Sequence, residues 1–148
     1  MKFNFNVDDE HVVIEIPLRE GFSFYRARKE SVNYKKLMRF LKFKDSDIAE
    51  ALGIKTEFSE FKKIELRKAK IFLDDICALL HIALVLTEDK YNTYLWFIQE
   101  NPYFDNISPR KMLLRGRFNE LARALMKALS SYKSYGENVT ALFYKVLK

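Results

Sequence analysis

"FLDDICALLHIALVL", residues 72 to 86, is the stretch that decides the fold. Phe72, Ile76, Leu79 or Leu80, and Ala83 recur at helical spacing, and from 76 to 86 the helix is apolar nearly all round. A helix without a polar stripe belongs in the middle of a bundle or at a subunit interface. The apolar run is 11 residues long behind Asp74-Asp75, against the roughly 20 that a membrane span needs. It reads as a buried helix of a soluble domain. Cys77 and His81 share one of its faces at i, i+4, which invites a nucleophile–base story. Leucine and isoleucine flank that face on every side, so a core cysteine beside a satisfied core histidine is the reading preferred here.

Outward towards the N-terminus, "EFSEFKKIELRKAK" reads as a separate helix, with an indistinct start. Before it, Asp47 and Glu50 resemble a capping box opening "DIAEALGI". Ala49 and Gly53 have the A-x-x-x-G spacing of a helix-turn-helix, with Ile48, Leu52 and Ile54 around it. Downstream the match slips by one residue, since the apolar positions are Phe58 and Phe61 rather than Ser59 and Lys62. Leu37, Phe40 and Leu41 lie on one face of an earlier helix. Phe3, Phe5 and Val7, then Val12, Ile14 and Ile16, alternate around Asp8-Asp9-Glu10-His11 and predict a β-hairpin. A lone hairpin is marginal in water, so it must pack on the helices or pair with another copy. "PLREGFSFYRARKE" connects it irregularly to the first helix.

Outward towards the C-terminus, Thr87 and Asp89 offer an N-cap for a helix whose stripe is Tyr91, Tyr94, Leu95 and Ile98. "NPYFDNISPRKMLLRG", residues 101 to 116, follows. Ser108-Pro109 reads as N-cap and first helical position, and Gly116 as the residue that stops the short helix. Arg110 and Lys111 then put cations where the helix dipole favours acids. Phe118, Leu121, Ala122, Leu125 and Leu129 make another helix, broken at "SSYKSYGEN". Val139, Leu142, Phe143, Val146 and Leu147 carry the helical period to the end. The fold class expected is mainly α: a helical bundle with a helix-turn-helix-like pair and a small N-terminal β-hairpin. Its regions are 1–30 (hairpin and crossing segment), 31–70 (helix-turn-helix-like helices) and 71–148 (the helices from the apolar run onward).

Composition narrows the function classes. The chain has 148 residues, 49% of them hydrophobic, enough for one packed domain or two small ones sharing a core. A single cysteine leaves no disulfide framework and no cysteine-based zinc site, so neither metal nor cofactor is expected. No phosphate-loop, dinucleotide, zincin or nucleophile-elbow motif is present, and a non-enzyme is expected. The start lacks the apolar core of a signal peptide, which makes a cytoplasmic setting the expectation. The net charge is +6 and uneven, with eight basic residues against one acid from Arg26 to Lys44 and five against one from Phe61 to Lys70. Such clusters either form a solvated face or neutralise phosphates.

The run "WFIQENPYFDNISPRKMLLRG" resembles the toxin-binding domain of the MbcA/ParS/Xre antitoxins, whose signature is W-L-x-x-x-N-P-x-L-G-G-x-x-P followed by a leucine-rich helix. Trp96, Phe97, Asn101, Pro102, Phe104 and Pro109 fall on that spacing without a gap, and Leu113 and Leu114 continue it. Asp105-Asn106 replaces the glycine pair, and both residue types tolerate left-handed backbone. The resemblance spans about residues 35 to 130, and its specific part is the C-terminal motif.

The resemblance implies an antitoxin that dimerises, covers the active site of a RES-domain, NAD-consuming toxin, and represses its own operon. Trp96, Asn101, Pro102, Pro109, Arg110, Lys111, Arg115 and Arg117 are then the expected toxin-binding residues. Operator DNA, as a further partner, would be met by Lys55, Lys62, Lys63 and Arg67 after the turn, with Lys35, Lys36 and Arg39 on phosphates. The alternatives are a stand-alone DNA-binding transcription regulator without a toxin, and an interaction domain whose basic faces only solubilise it.

Overall fold

A computed structural model describes residues 2–8, 10–15, 32–57 and 60–135. The expected crossing segment at 17–30 and the terminal helix of Val139, Leu142, Phe143, Val146 and Leu147 lie outside the described residues. The protein is mainly helical, as the sequence predicts. Strands β1 (Lys2–Val7) and β2 (Glu10–Glu15) precede helices α1 (Tyr34–Leu41), α2 (Asp45–Leu52), α3 (Lys63–Thr87), α4 (Lys90–Ile98), α5 (Pro109–Leu114) and α6 (Phe118–Tyr135).

The hairpin is antiparallel with Phe3 opposite Ile14, Phe5 opposite Val12 and Val7 opposite Glu10. Its turn is tighter than the four polar residues suggested. Asp8 adopts φ 52°, the left-handed backbone that two-residue hairpin turns require. The hairpin meets the helices rather than standing alone: β1 packs on α3 and α6. Val7 is buried, the Asp8 N–H donates to Asn119 Oδ1 at 3.3 Å, and Arg123 pairs with the Asp8 carboxylate.

α3 is the axis. From Ile76 to Leu84 every residue is buried, and α6, α4, β1, α2 and α1 pack around it. The two helices expected between residues 57 and 86 are one helix of 25 residues. No glycine or proline interrupts it, and buried Ala69, Leu73 and Ile76 carry the helical period across the join. The region boundary expected at 70/71 therefore falls inside a continuous helix. Cys77 and His81 sit in this core, with His81 Nδ1–H donating to the Cys77 carbonyl at 2.8 Å and Sγ at 3.7 Å from Nδ1. Burial lowers the His81 pKa.

Three helix ends close alike. Phe43 N–H donates to Met38 O and Lys42 N–H to Arg39 O; Ile54 and Gly53 do the same to Ala49 and Glu50, and Arg117 and Gly116 to Met112 and Leu113. This six-to-one, five-to-two pairing puts one left-handed residue after each helix, namely Lys42, Gly53 and Gly116. Gly53 and Gly116 are the stops read from sequence; Lys42 adopts the same backbone with a side chain.

Four readings need correction. The helix-turn-helix-like pair lacks a tight turn: residues 54–57 are non-helical and α3 starts at Lys63, ten positions beyond Gly53. The chain first buries Phe61, then opens α3 with the Lys62 N–H donating to Glu65 Oε1 at 3.0 Å. Asp47 does not cap α2 as the first residue; it is third in the helix and accepts from the Lys44 N–H at 2.7 Å. α4 buries Thr93, Trp96 and Phe97, whereas Tyr91 and Ile98 of the expected stripe are exposed. Both faces of α4 are apolar, and the one bearing Trp96 and Phe97 turned inward, leaving the Tyr91 phenol outside. Finally, "SSYKSY" does not break α6, which continues to Tyr135.

Candidate partner-binding surface

The stretch from Trp96 to Arg117 folds as a support with a rim. Trp96 is 1% exposed, and Phe97, Phe104, Met112 and Leu113 are buried with it. A turn crosses this apolar base because Asn101 ties it from three directions. Its side chain accepts from the Tyr103 N–H at 2.9 Å, and its carbonyl accepts from Phe104 N–H and Asn106 N–H, both at 2.9 Å. Asn101 and Ile107 form a one-residue antiparallel bridge across the turn. Pro102 begins a 3-10 turn, where its missing N–H is not needed. Asp105 and Asn106, which stand where the resembled signature has two glycines, take φ 55° and 63°. The left-handed turn is thus kept without glycine.

Ser108 caps α5 as the sequence predicts, accepting from the Lys111 N–H at 3.1 Å, with buried Pro109 at the first helical position. The oddly placed cation then finds its reason. Arg110 Nε donates to Leu41 O at 3.0 Å and Nη2 to Lys42 O at 2.8 Å. These carbonyls end α1 and are ones its own terminal pairing does not use. The guanidinium also lies 5.1 Å above the Phe43 ring and 3.6 Å from Asp47. A charge set against the dipole of α5 is set with the dipole of α1.

The expected toxin-binding residues therefore divide. Trp96, Asn101 and Pro109 are buried, so they hold the surface and do not form it. Arg110 clamps α5 to α1. Arg117 is half-buried and engages Glu120 through both Nε and Nη2, at 2.8 and 2.7 Å. Pro102, Lys111 and Arg115 face outward. Sequence reading missed Tyr103, which is 53% exposed and stands edge-on to Phe104 with centroids 5.2 Å apart. Its one signal was a large aromatic at a variable position of the signature. Beside it, Glu120, Arg123 and Lys127 of α6 border a cleft of about 250 Å³.

The expected nucleic-acid residues do not form a recognition helix behind a tight turn. Lys62, Lys63 and Arg67 are exposed at the start of α3, Lys55 is exposed in the long connection, and Lys35 and Arg39 are exposed on α1. Lys36 is half-buried. Nearby, the Tyr34 hydroxyl donates to Asp74 Oδ1 at 2.7 Å; burial and this bond raise the Tyr34 pKa. Burial, and then the neighbouring Asp74 charge, push the Asp75 carboxyl up to about 7.

No protein-family model matches the chain, and no curated protein or solved structure matches it. No helix among the described residues is long and apolar enough to cross a membrane.

Proposed function

We propose that the chain is a non-enzymatic, antitoxin-like protein that neutralises a RES-domain, NAD-consuming toxin by binding it through the rim of the Asn101–Arg117 turn. One observation carries the reading. An exposed Tyr103 stands on a turn whose backbone Asn101 ties down, with Pro102 beside it. A surface already held in one shape loses little conformational freedom on docking, and an exposed tyrosine is a preferred anchor for a partner. Lys111 and Arg115 supply positive charge on the following helix and its end. The class of partner comes from the resemblance of Trp96, Asn101, Pro102 and Pro109 to the antitoxin signature.

The proposal does not extend to operator binding, because the helix-turn-helix spacing on which that expectation leaned is absent. It includes a homodimer, for which Ile64 and Ile71 are candidate contacts. They are seven residues apart on α3 and 69% and 52% exposed. The experiment is co-expression with a RES-domain toxin. Tyr103→Ala with Lys111→Glu and Arg115→Glu abolishes protection while the chain stays folded. Full protection by that triple variant overturns the reading. Trp96 and Arg110 variants are uninformative here, since they disturb the support itself.

A further inference from the structure

A trench of about 950 Å³ opens between α1, the start of α2, and α3. Met38, Phe43, Ile48 and Leu73 make its floor and Tyr34 one wall. The rim carries Lys35, Arg39, Lys42 and Lys44, against a single lining acid, Asp45. Among the described residues Lys35, Arg39 and Lys44 form no ion pair, while the Lys42 ammonium lies over the Tyr94 ring, 5.3 Å from its centroid. The apolar floor also continues along α3. Leu66 is 46% exposed and precedes Leu73 by seven residues, which sets it on the same helix face about 10 Å away.

We propose that this trench binds an acidic amphipathic helix of a partner protein, with apolar side chains filling the trench against Met38 and Tyr34 and carboxylates among Lys35, Arg39 and Lys44. The inference does not rest on the antitoxin reading, although Arg110 of α5 borders the trench through its stack on Phe43. Charge complementarity names the sign of the partner, and the floor names its form. Phosphates need the cations but have no use for a half-buried methionine and tyrosine between them. A helix in a groove uses both, through anchors at i, i+3 or i+4 and i+7.

The test uses the full chain and a labelled synthetic helix of about 18 residues, leucine on one face and glutamate on the other. Two control peptides replace the leucines by serine or the glutamates by lysine. The leucine–glutamate peptide binds at low salt and shifts the methyl resonances of Met38, Ile48 and Leu73. Both controls bind about tenfold more weakly or worse, and Lys35→Glu with Arg39→Glu weakens the parent peptide by a similar factor. These two cations are exposed, and circular dichroism checks that the variant is folded. Equal binding of the serine peptide, unmoved floor methyls, or duplex DNA binding the same cations more tightly than the peptide each overturn the proposal.

Discussion

Replacing Arg110 with alanine tests whether this cation is structural. Two charge-assisted hydrogen bonds are lost, each of a kind that contributes roughly 1.5–3 kcal/mol when shielded from water. The bond to Leu41 O is partly buried and the bond to Lys42 O is exposed. The first is therefore taken at about 1.5 kcal/mol and the second at about 0.5, because water replaces the exposed donor. The stack on Phe43 adds about 0.5 kcal/mol, and the part-exposed pair with Asp47 adds only a few tenths. Removing a cation from the start of α5 returns roughly 0.3–0.5 kcal/mol. The net loss is about 2 kcal/mol, or a melting point lower by roughly 4–8 °C for a chain of this size. Thermal unfolding followed by circular dichroism reads it. Arg110→Lys restores little, since an ammonium has no fork to span both carbonyls. Exposed Lys111→Ala, one position along, stays within about 0.5 kcal/mol of the parent. An Arg110→Ala melting point within about 1 °C of the parent, or equal losses at the two positions, would refute the clamp.

Lys42→Gly raises stability by about 0.5 kcal/mol, because relief of the left-handed backbone after α1, about 1 kcal/mol, outweighs loss of the ammonium contact with the Tyr94 ring, about 0.5; urea unfolding measures it, and a loss instead would place the strain elsewhere. The Asp75 carboxyl remains protonated in the fold up to about pH 7, against an ordinary value of 3.8. The native state thus holds the extra proton between those values, and Asp75 contributes stability that is whole below the lower one and lost as pH climbs to the upper. Asp75→Asn removes that decline, so the variant gains on the parent in melting point from acid to neutral pH; parallel curves would contradict it. Ile64→Asp with Ile71→Asp converts a dimer into a monomer in sedimentation velocity, and a parent already monomeric at high concentration dismisses these contacts.

The sequence carried the large elements where one period had no rival. The all-apolar run at 76–86, the alternation at 3–7 and the Ser108-Pro109 start each had a single structural solution. It failed where two solutions fit equally. α4 is apolar on both sides, so spacing named Tyr91 and Ile98, while the fold buried Trp96 and Phe97 and left the phenol of Tyr91 outside. The A-x-x-x-G match named the end of α2 correctly through Gly53, yet nothing local fixes how far the chain travels before the next helix begins. Burial of Phe61, a tertiary matter, decided that distance. In the turn at 101–106, the proline and asparagine spacing was readable, and so was the tolerance of Asp105-Asn106 for left-handed backbone. What Arg110 does was not readable, because its acceptors lie about 70 positions earlier in the chain and belong to the backbone.

α3 is about 37 Å long at 1.5 Å per residue, and only its later half is enclosed. Its outer turns, from Lys63 to Lys68, expose Ile64, Arg67 and Lys68, burial begins at Ala69, and the later half is the centre of the packed body. A rod of unbroken helix has no hinge between the two. Whatever grips the outer turns leans directly on Ile76, Leu80 and Ala83, so a load there reaches the heart of the molecule instead of being absorbed at its edge.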